Sequence, residues 1–119
     1  MKVIHLNDVE KVENNSSLFT APVTLQSSVT EQDSEHNVIY VNFPEGVANK
    51  FHTHNHDQIL VVTEGKGFIE VEGEKQEIVV GDIVLIKAGE VHRHGALPGS
   101  TMTHISITAP ETSIDQVED

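Results

Sequence analysis

Histidine is concentrated in two short stretches of this chain, and the spacing within them is typical of metal ligands. The chain has eight histidines among 119 residues. In the first stretch His52 and His54 lie two positions apart and Gln58 follows, while the second stretch contributes His92. Three imidazole nitrogens and one amide oxygen suit one divalent ion such as Mn, Fe, Co, Ni or Zn, with open positions left for a reacting molecule. The sequence therefore predicts a single metal centre with the ligands His52, His54, Gln58 and His92.

Two more histidines are predicted to face the same centre. Alternate residues of a strand share a face, so we expect His94 to point the same way as His92, and His104 lies on the last predicted strand. A neutral histidine near a dication has a lowered pKa, which suits a general base. We therefore predict His94 and His104 as the catalytic residues. Two alternatives stay open: His94 orients a ligand, or His104 is a wall residue bonded to backbone. The other three histidines, His5, His36 and His56, are expected to lie outside the site or at its rim.

The elements that position these side chains are predicted to be strands. Short runs rich in β-branched residues alternate with glycine-containing turns, a pattern typical of an antiparallel sandwich or barrel. The predicted strands cover residues 37–43, 59–63, 68–72, 75–80, 83–86, a strand beginning at 91–94, and 101–108. The run at 59–63 is expected to end at the segment Glu64-Gly-Lys-Gly67. A helical turn near Leu6–Val12, a polar loop at 30–36 and a loose acidic tail at 110–119 are also expected.

Length and charge restrict the class of protein. A chain of 119 residues is expected to form one domain, 1–119, with its conserved-barrel core at about 37–108. Nineteen acidic and seven basic side chains give a formal net charge of -12, which disfavours nucleic-acid and anionic membrane partners. The absence of cysteine excludes thiolate chemistry and disulfides. The charged N-terminus does not fit a signal peptide, so a cytoplasmic location is predicted.

Both histidine stretches resemble the two motifs of the cupin superfamily. The first runs from Gly46 through His52, His54 and Gln58 to Gly65 with the family's spacing, and glutamine replaces the usual acidic ligand. The second runs from Gly81 through Lys87-Ala-Gly89 and His92 to Ala96, without the family's proline and asparagine. The resemblance implies an all-β fold: a small antiparallel jelly-roll barrel (double-stranded β-helix) with the metal in its mouth. It also implies a homodimer.

A narrower resemblance is to the manganese-dependent cupins that act as hydroxynitrile lyases, which split cyanohydrins into an aldehyde and cyanide. It is carried by Leu18-Phe-Thr20, His52-Thr-His54, residues 58–65, His92-Arg-His-Gly-Ala96 and Met102-Thr-His-Ile105. The resemblance implies manganese on the four ligands named above, and it implies active-site roles for His94 and His104. The chain departs at Phe51 and Arg93, where the resemblance implies tryptophan, and a different pocket shape is expected there.

The neutral Gln58 ligand favours one class of chemistry over another. A site of three histidines and one glutamine keeps the full +2 charge of the metal, which strengthens Lewis acidity and favours an anionic partner. We therefore predict a lyase acting on a small oxygenated substrate. The alternatives are a metal-dependent dioxygenase of the quercetinase kind and a non-enzymatic cupin that binds a small ligand. Ile105 and Ile107 are predicted to face away from His104, and such an exposed apolar face also favours a homodimer.

Overall fold

The computed structural model describes residues 1–119, which form ten strands and one 3₁₀ helix at Leu6–Asp8. The strands are β1 (Val12–Asn14), β2 (Val23–Val29), β3 (Asn37–Phe43), β4 (His52–His54), β5 (Gln58–Val71), β6 (Glu74–Val79), β7 (Ile83–Ile86), β8 (His92–Ala96), β9 (Met102–Thr108) and β10 (Ile114–Gln116). The predicted all-β class, the helical turn and the polar loop before β3 are confirmed. No helical segment could span a bilayer.

Every strand pair is antiparallel, and β5 joins the two halves of the fold. The first part of β5 pairs with β7 and β9, and the second part pairs with β6 and β8. On one side the sheet continues from β9 through β3 and β2 to β1, and on the other side from β8 through β4 to β10. The sheet thus curls into the predicted jelly-roll barrel, and its two halves enclose a common interior.

The prediction that the strand at 59–63 ends at Glu64-Gly-Lys-Gly67 is wrong. This segment lies inside the 14-residue strand β5, which bends there as it passes from one half of the barrel to the other. Gly65 has φ +72°, and a Cβ atom on it would collide with the Thr101 carbonyl. A Cβ atom on Gly67 would collide with Met102 and with the Gly95 carbonyl. The glycines therefore allow a close backbone approach within a strand rather than a chain reversal.

Apolar side chains fill the interior below the site. The core includes Phe43, Leu60, Val62, Ile86 and Met102, all nearly inaccessible to solvent. Because successive residues of a strand point to opposite faces, the same strands carry a second set of side chains on the outside of the barrel. On the strands β5 and β7 that outer set is itself apolar, with Ile59, Ile83 and Leu85 exposed.

The sequence predicted a loose acidic tail at 110–119, but part of this tail forms a strand. Its residues Ile114–Gln116 form β10, which pairs with β4 so that Ile114 lies opposite His54. The backbone N–H of Val117 also donates to the Phe51 carbonyl at 2.9 Å. Without β10, strand β4 would be an edge strand held to β8 through the single pair His52–His92. Pairing along that edge explains why a polar, acidic segment becomes ordered.

Candidate metal centre

His52 and His54 come from β4, and both side chains point into the barrel. They are 2% and 6% exposed, whereas Thr53 between them is only half-buried and lies on the other face. The two imidazole rings lie with their centroids 4.9 Å apart. The alternation predicted from the His-x-His spacing is therefore present, and it directs both rings to one place.

His92 joins this pair from β8. It lies directly opposite His52 in the ladder, and the two ring centroids are 4.3 Å apart. One ligand atom from each of His52, His54 and His92 lies within 4.8 Å of the others, so the three histidines could hold a metal ion. His52 and His92 are forty residues apart in the chain, and the pairing of β4 with β8 brings them together.

Backbone carbonyls orient two of these rings. His52 Nδ1 lies 2.6 Å from the Lys50 carbonyl, and His92 Nδ1 lies 2.8 Å from the Glu90 carbonyl. A carbonyl only accepts, so each Nδ1 carries the proton and each Nε2 keeps its lone pair. His92 Nε2 is buried and has no hydrogen-bond partner. Such a bond from the far nitrogen is what orients a metal-ligating histidine.

Gln58 opens β5 and lines the same cavity as His52 and His54. Its amide nitrogen Nε2 donates to Ser106 Oγ at 2.7 Å. Its oxygen Oε1 is buried without a partner, as is His54 Nδ1. Buried polar atoms are almost always paired, so these unpaired atoms, together with His92 Nε2, fit an oxygen- and nitrogen-binding cation. The donor set thus fits the divalent metal predicted from the sequence.

Burial keeps these imidazoles neutral. Removal from water lowers the pKa of His52 and of His54 to about 4, and it also lowers the pKa of His92. Burial disfavours the charged form of a histidine, and the neighbouring imidazole of His92 further lowers the pKa of both His52 and His54. At neutral pH the rings therefore present lone pairs and not protons, which is the form that binds metal.

His94 and His104 lie in contact with each other next to the cluster of His52, His54 and His92. His94 Nδ1 and His104 Nε2 are 3.2 Å apart, and both rings line the cavity that His52 and His54 line. The centroid of the His94 ring is 5.9 Å from that of His92 and 4.9 Å from that of His104. Burial lowers the pKa of His104 to about 4 and that of His94 well below its usual range. Both of these predicted residues therefore face the site as neutral rings.

Apolar side chains form much of the rest of the cavity wall beside the histidines. Its volume is about 270 Å³. An apolar cavity of roughly 150 Å³ is large enough for benzene, so this one has room for one ring and a small polar substituent. The apolar walls include Phe19, Leu25, Ile39, Val41, Phe43 and Ile114. The arrangement can therefore hold an organic molecule with its polar end at the histidines.

Asn49 is a buried polar residue of the site that the sequence did not predict. It lines the cavity and contacts His94 through both its backbone and its side chain. Three more residues of the cavity, Phe19, Leu25 and Ile114, come from segments for which no strand was predicted. Phe19 lies in the segment Leu18-Phe-Thr20 that carries the narrower family resemblance, whereas Asn49, Leu25 and Ile114 belong to no motif in the sequence.

The two positions expected to alter the pocket do not line it. Phe51 and Arg93 are absent from the cavity wall, and the Arg93 guanidinium lies 4.7 Å from the centroid of the Phe51 ring. Arg93 also forms an ion pair with Glu70 at 2.8 Å. Phe51 precedes His52, and Arg93 lies between His92 and His94. Because these histidines face inward, the side chains of Phe51 and Arg93 lie on the outer face. Neither Phe51 nor Arg93 therefore forms part of the cavity wall itself.

The remaining histidines lie outside the three-histidine cluster. His56 Nδ1 lies 3.0 Å from its neighbour's oxygen, Asn55 Oδ1, in the turn between β4 and β5. His5 and His36 are exposed. None of the three lines the cavity that holds the cluster.

Comparison with known proteins places this geometry in context. Residues 39–107 match the family model for the cupin domain. A curated relative, the (R)-mandelonitrile lyase of Granulicella tundricola, is 44% identical over 68 residues, which are 56% of this chain and 52% of the relative. The chain's match thus spans about half the length of that relative.

Solved structures show the same fold. A cupin-like protein from Thermotoga maritima is 29% identical, with a TM-score of 0.80 over 94% of this chain and 91% of the other. The polyketide cyclase RemF from Streptomyces resistomycificus is 20% identical, with a TM-score of 0.84 over 100% of this chain and 87% of the other. At that identity the second likeness concerns the fold alone.

Proposed function

The chain belongs to the cupin domain family, and from this premise we propose that it is a mononuclear divalent-metal enzyme that cleaves cyanohydrins into an aldehyde and cyanide. The observation that carries the proposal is the pair His94 and His104, which lies beside the three-histidine cluster in one apolar cavity. The partial similarity to a mandelonitrile lyase adds support for this substrate class.

The ligands that we propose are His52, His54, His92 and, through Oε1, Gln58. A divalent metal held there, with manganese as our first choice, would supply Lewis acidity toward an oxygen of the substrate. The acidic protein, with a formal net charge of -12, raises the local concentration of such cations. Because all four ligands are neutral, the site favours polarisation of an oxygen over a change of oxidation state.

The protein's own residues account for binding and proton transfer. The apolar walls, Phe43 among them, bind the organic part of the substrate and exclude water from it. The histidine pair takes the proton of the hydroxyl group as the bond to the nitrile carbon breaks. The O–H electrons form the carbonyl of the aldehyde, the electrons of the broken C–C bond leave with cyanide, and the same proton is returned to give HCN. No oxidant is required.

We also propose that the active form is a homodimer. The outer face of the barrel carries exposed Ile59, Ile83 and Leu85 on the neighbouring strands β5 and β7, and Ile107 of β9 lies next to Ile59. A contiguous apolar face of this kind on a highly charged protein is costly in water. A second copy of the chain is the partner that we propose for it, since an isologous pairing hides both faces at once.

Release of benzaldehyde from mandelonitrile by the Mn²⁺-loaded protein tests the lyase proposal. We expect release above the buffer rate, loss of that release in His104→Ala, and retention in the control variant His56→Ala, whose histidine lies outside the cavity. A fully metal-loaded protein that releases no benzaldehyde would exclude this activity for an aryl cyanohydrin. Oxygen consumption with a flavonol would instead favour a dioxygenase. Tight ligand binding without benzaldehyde release or oxygen consumption would favour a non-enzymatic role.

A further inference from the structure

We propose that Asn49 is a positioning residue that fixes which ring nitrogen carries the proton in His94 and His104, and thereby gives the two histidines opposite roles. The proton positions on the His94 and His104 rings follow from hydrogen bonds alone. The part that concerns catalysis rests on the proposed lyase function.

The side-chain amide of Asn49 can adopt only one orientation. The backbone N–H of His94 donates to Asn49 Oδ1 at 2.8 Å, and the backbone N–H of Asn49 donates to the His94 carbonyl at 2.9 Å. Asn49 Oδ1 is therefore committed to a backbone donor, and Nδ2 must face the His94 ring, where it lies 3.1 Å from Nε2. An amide nitrogen only donates, so His94 Nε2 must be an acceptor.

The close approach that makes this contact possible depends on Gly95. The segment before β4 crosses β8 there, and a Cβ atom on Gly95 would collide with Ala48. The Ala96 N–H donates to the Val47 carbonyl at 2.9 Å, on the other side of Gly95 from His94. Asn49, 4% exposed, is thus held against His94 by backbone bonds and is not free to rotate away.

The proton positions of both histidines follow from this contact. A neutral His94 ring with Nε2 as acceptor carries its proton on Nδ1, which lies 3.2 Å from His104 Nε2. His94 Nδ1 then donates and His104 Nε2 accepts, which places the proton of neutral His104 on Nδ1, a buried nitrogen without a hydrogen-bond partner. The hydrogen bond made by one nitrogen of a neutral imidazole decides which nitrogen carries the proton. The Asn49 contact therefore sets the tautomer of His94 and, through it, that of His104.

The two rings therefore offer a substrate hydroxyl one donor and one acceptor. Both rings line the cavity. A hydroxyl that displaces the direct His94–His104 bond would receive a hydrogen bond from His94 Nδ1 and give its proton to the lone pair of His104 Nε2. His104 is then the proton acceptor, His94 stabilises the substrate oxygen, and Asn49 prevents the reverse assignment through its contact with His94.

Nitrogen-15 NMR of the histidine rings in the Zn²⁺-loaded protein tests the proposal directly. The His94 signals are identified by their loss in His94→Gln. We expect Nδ1 of His94 to be protonated and Nε2 to be unprotonated. A wild-type His94 ring protonated at Nε2 would overturn the proposal, and this measurement requires no variant of Asn49 to fold and no enzymatic activity.

The same NMR measurement on the variant Asn49→Asp provides a second test of the proposal. The variant's carboxylate keeps the acceptor for the His94 backbone N–H but replaces the Nδ2 donor with an acceptor, so we expect His94 Nε2 to become protonated. The matched control is Asn55→Asp, in the β4–β5 turn, which should leave the His94 signals unchanged. An unprotonated Nε2 in folded Asn49→Asp would contradict the role of Asn49.

Kinetics separate the catalytic part from the structural part. If the protein cleaves mandelonitrile, we expect Asn49→Asp to lower kcat by about 10²- to 10⁴-fold with a smaller change in KM, since a wrong tautomer of a catalytic histidine has an effect of that size elsewhere. An unchanged kcat together with the expected NMR change would overturn the assigned roles. Absence of cleavage by the wild type would refute the lyase function and leave the NMR result to decide the proton positions.

Discussion

Gln58 donates its amide N–H to Ser106 Oγ at 2.7 Å, and this bond leaves Gln58 Oε1 buried without a partner beside three histidines. The two residues lie on neighbouring strands, β5 and β9, where Ser106 pairs with Leu60. In this orientation the amide oxygen, and not the nitrogen, is the atom left without a hydrogen bond. The Ser106 bond thus holds a neutral oxygen in the cavity that His52 and His54 line.

We expect the variant Ser106→Ala to bind a divalent metal more weakly. Without Ser106 Oγ the amide of Gln58 loses the hydrogen bond that holds it in place, and loss of such a supporting bond lowers metal affinity by about 10- to 100-fold in other metal sites. Competition with a chelator measures the dissociation constant. Ser28→Ala is the matched control, because Ser28 Oγ donates to the Val38 carbonyl at 2.8 Å outside the cavity. Equal affinity in both variants would refute the role of the Ser106 bond.

The metal-free protein should lose stability as the pH falls from 6.5 to 4. Burial lowers the pKa of His52, His54 and His104 to about 4, so in this range the unfolded chain binds protons that the folded chain does not. More protons on the unfolded state means a smaller free energy of unfolding at lower pH, by about 1 kcal/mol per pH unit for each such histidine. Urea unfolding at a series of pH values measures the slope.

The variant His104→Gln isolates one contribution to that slope. It removes one titrating ring, so the free energy of unfolding should depend less steeply on pH between 6.5 and 4. A wild-type stability that does not change across this range would show that the rings are accessible to protons in the folded state.

Removal of residues 114–119 should destabilise the protein and weaken its hold on metal. The truncation removes the pairing of β10 with β4 and the bond from the Val117 N–H to the Phe51 carbonyl. At roughly 1 kcal/mol for each hydrogen bond lost, the free energy of unfolding should fall by about 2 kcal/mol or more. Thermal unfolding measures the change in Tm, and removal of Asp119 alone is the control. A truncated protein with unchanged Tm and metal affinity would show that β10 does not support β4.

The proposed dimer should dissociate when charge is placed on the outer face. Ile83 and Leu85 are 70% and 59% exposed, so their replacement by lysine disturbs no interior packing. We expect the double variant Ile83→Lys, Leu85→Lys to elute as a monomer with the wild-type circular dichroism spectrum. Val12→Lys is the control, since Val12 is equally exposed at 54% but lies on β1, away from β5 and β7. A wild-type protein that is already monomeric would refute the dimer.

The sequence predicted the centre well because its residues follow a two-residue period within single strands. His52 and His54 on β4 and His92 and His94 on β8 each share a face for this reason, and the structure brings His52, His54 and His92 together. The assignment of Gln58 as a ligand and of His94 and His104 as catalytic residues stays a prediction. The all-β class was predicted for a similar reason, since alternating strands and turns are local features, whereas the jelly-roll barrel was implied by the resemblance to the cupins.

What the sequence did not predict depends on contacts between distant segments. Gly65 was interpreted as a strand end because glycine marks turns and strand bends alike, and only the crowding by Thr101 distinguishes the two. The ordering of Ile114–Gln116 depends on an unpaired edge of β4. Asn49 acquires its role from His94, which is 45 residues away. None of these relationships produces a periodic pattern in the sequence.

The most direct test of the account is the metal stoichiometry of the purified protein, determined by elemental analysis and by titration of the metal-free chain with Mn²⁺. We predict one equivalent of divalent metal per chain, with binding abolished in His52→Ala and His92→Ala and retained in His56→Ala. Wild-type protein that is isolated without metal and binds none of Mn²⁺, Fe²⁺, Ni²⁺ or Zn²⁺ would contradict the proposed centre and, with it, the proposed enzyme.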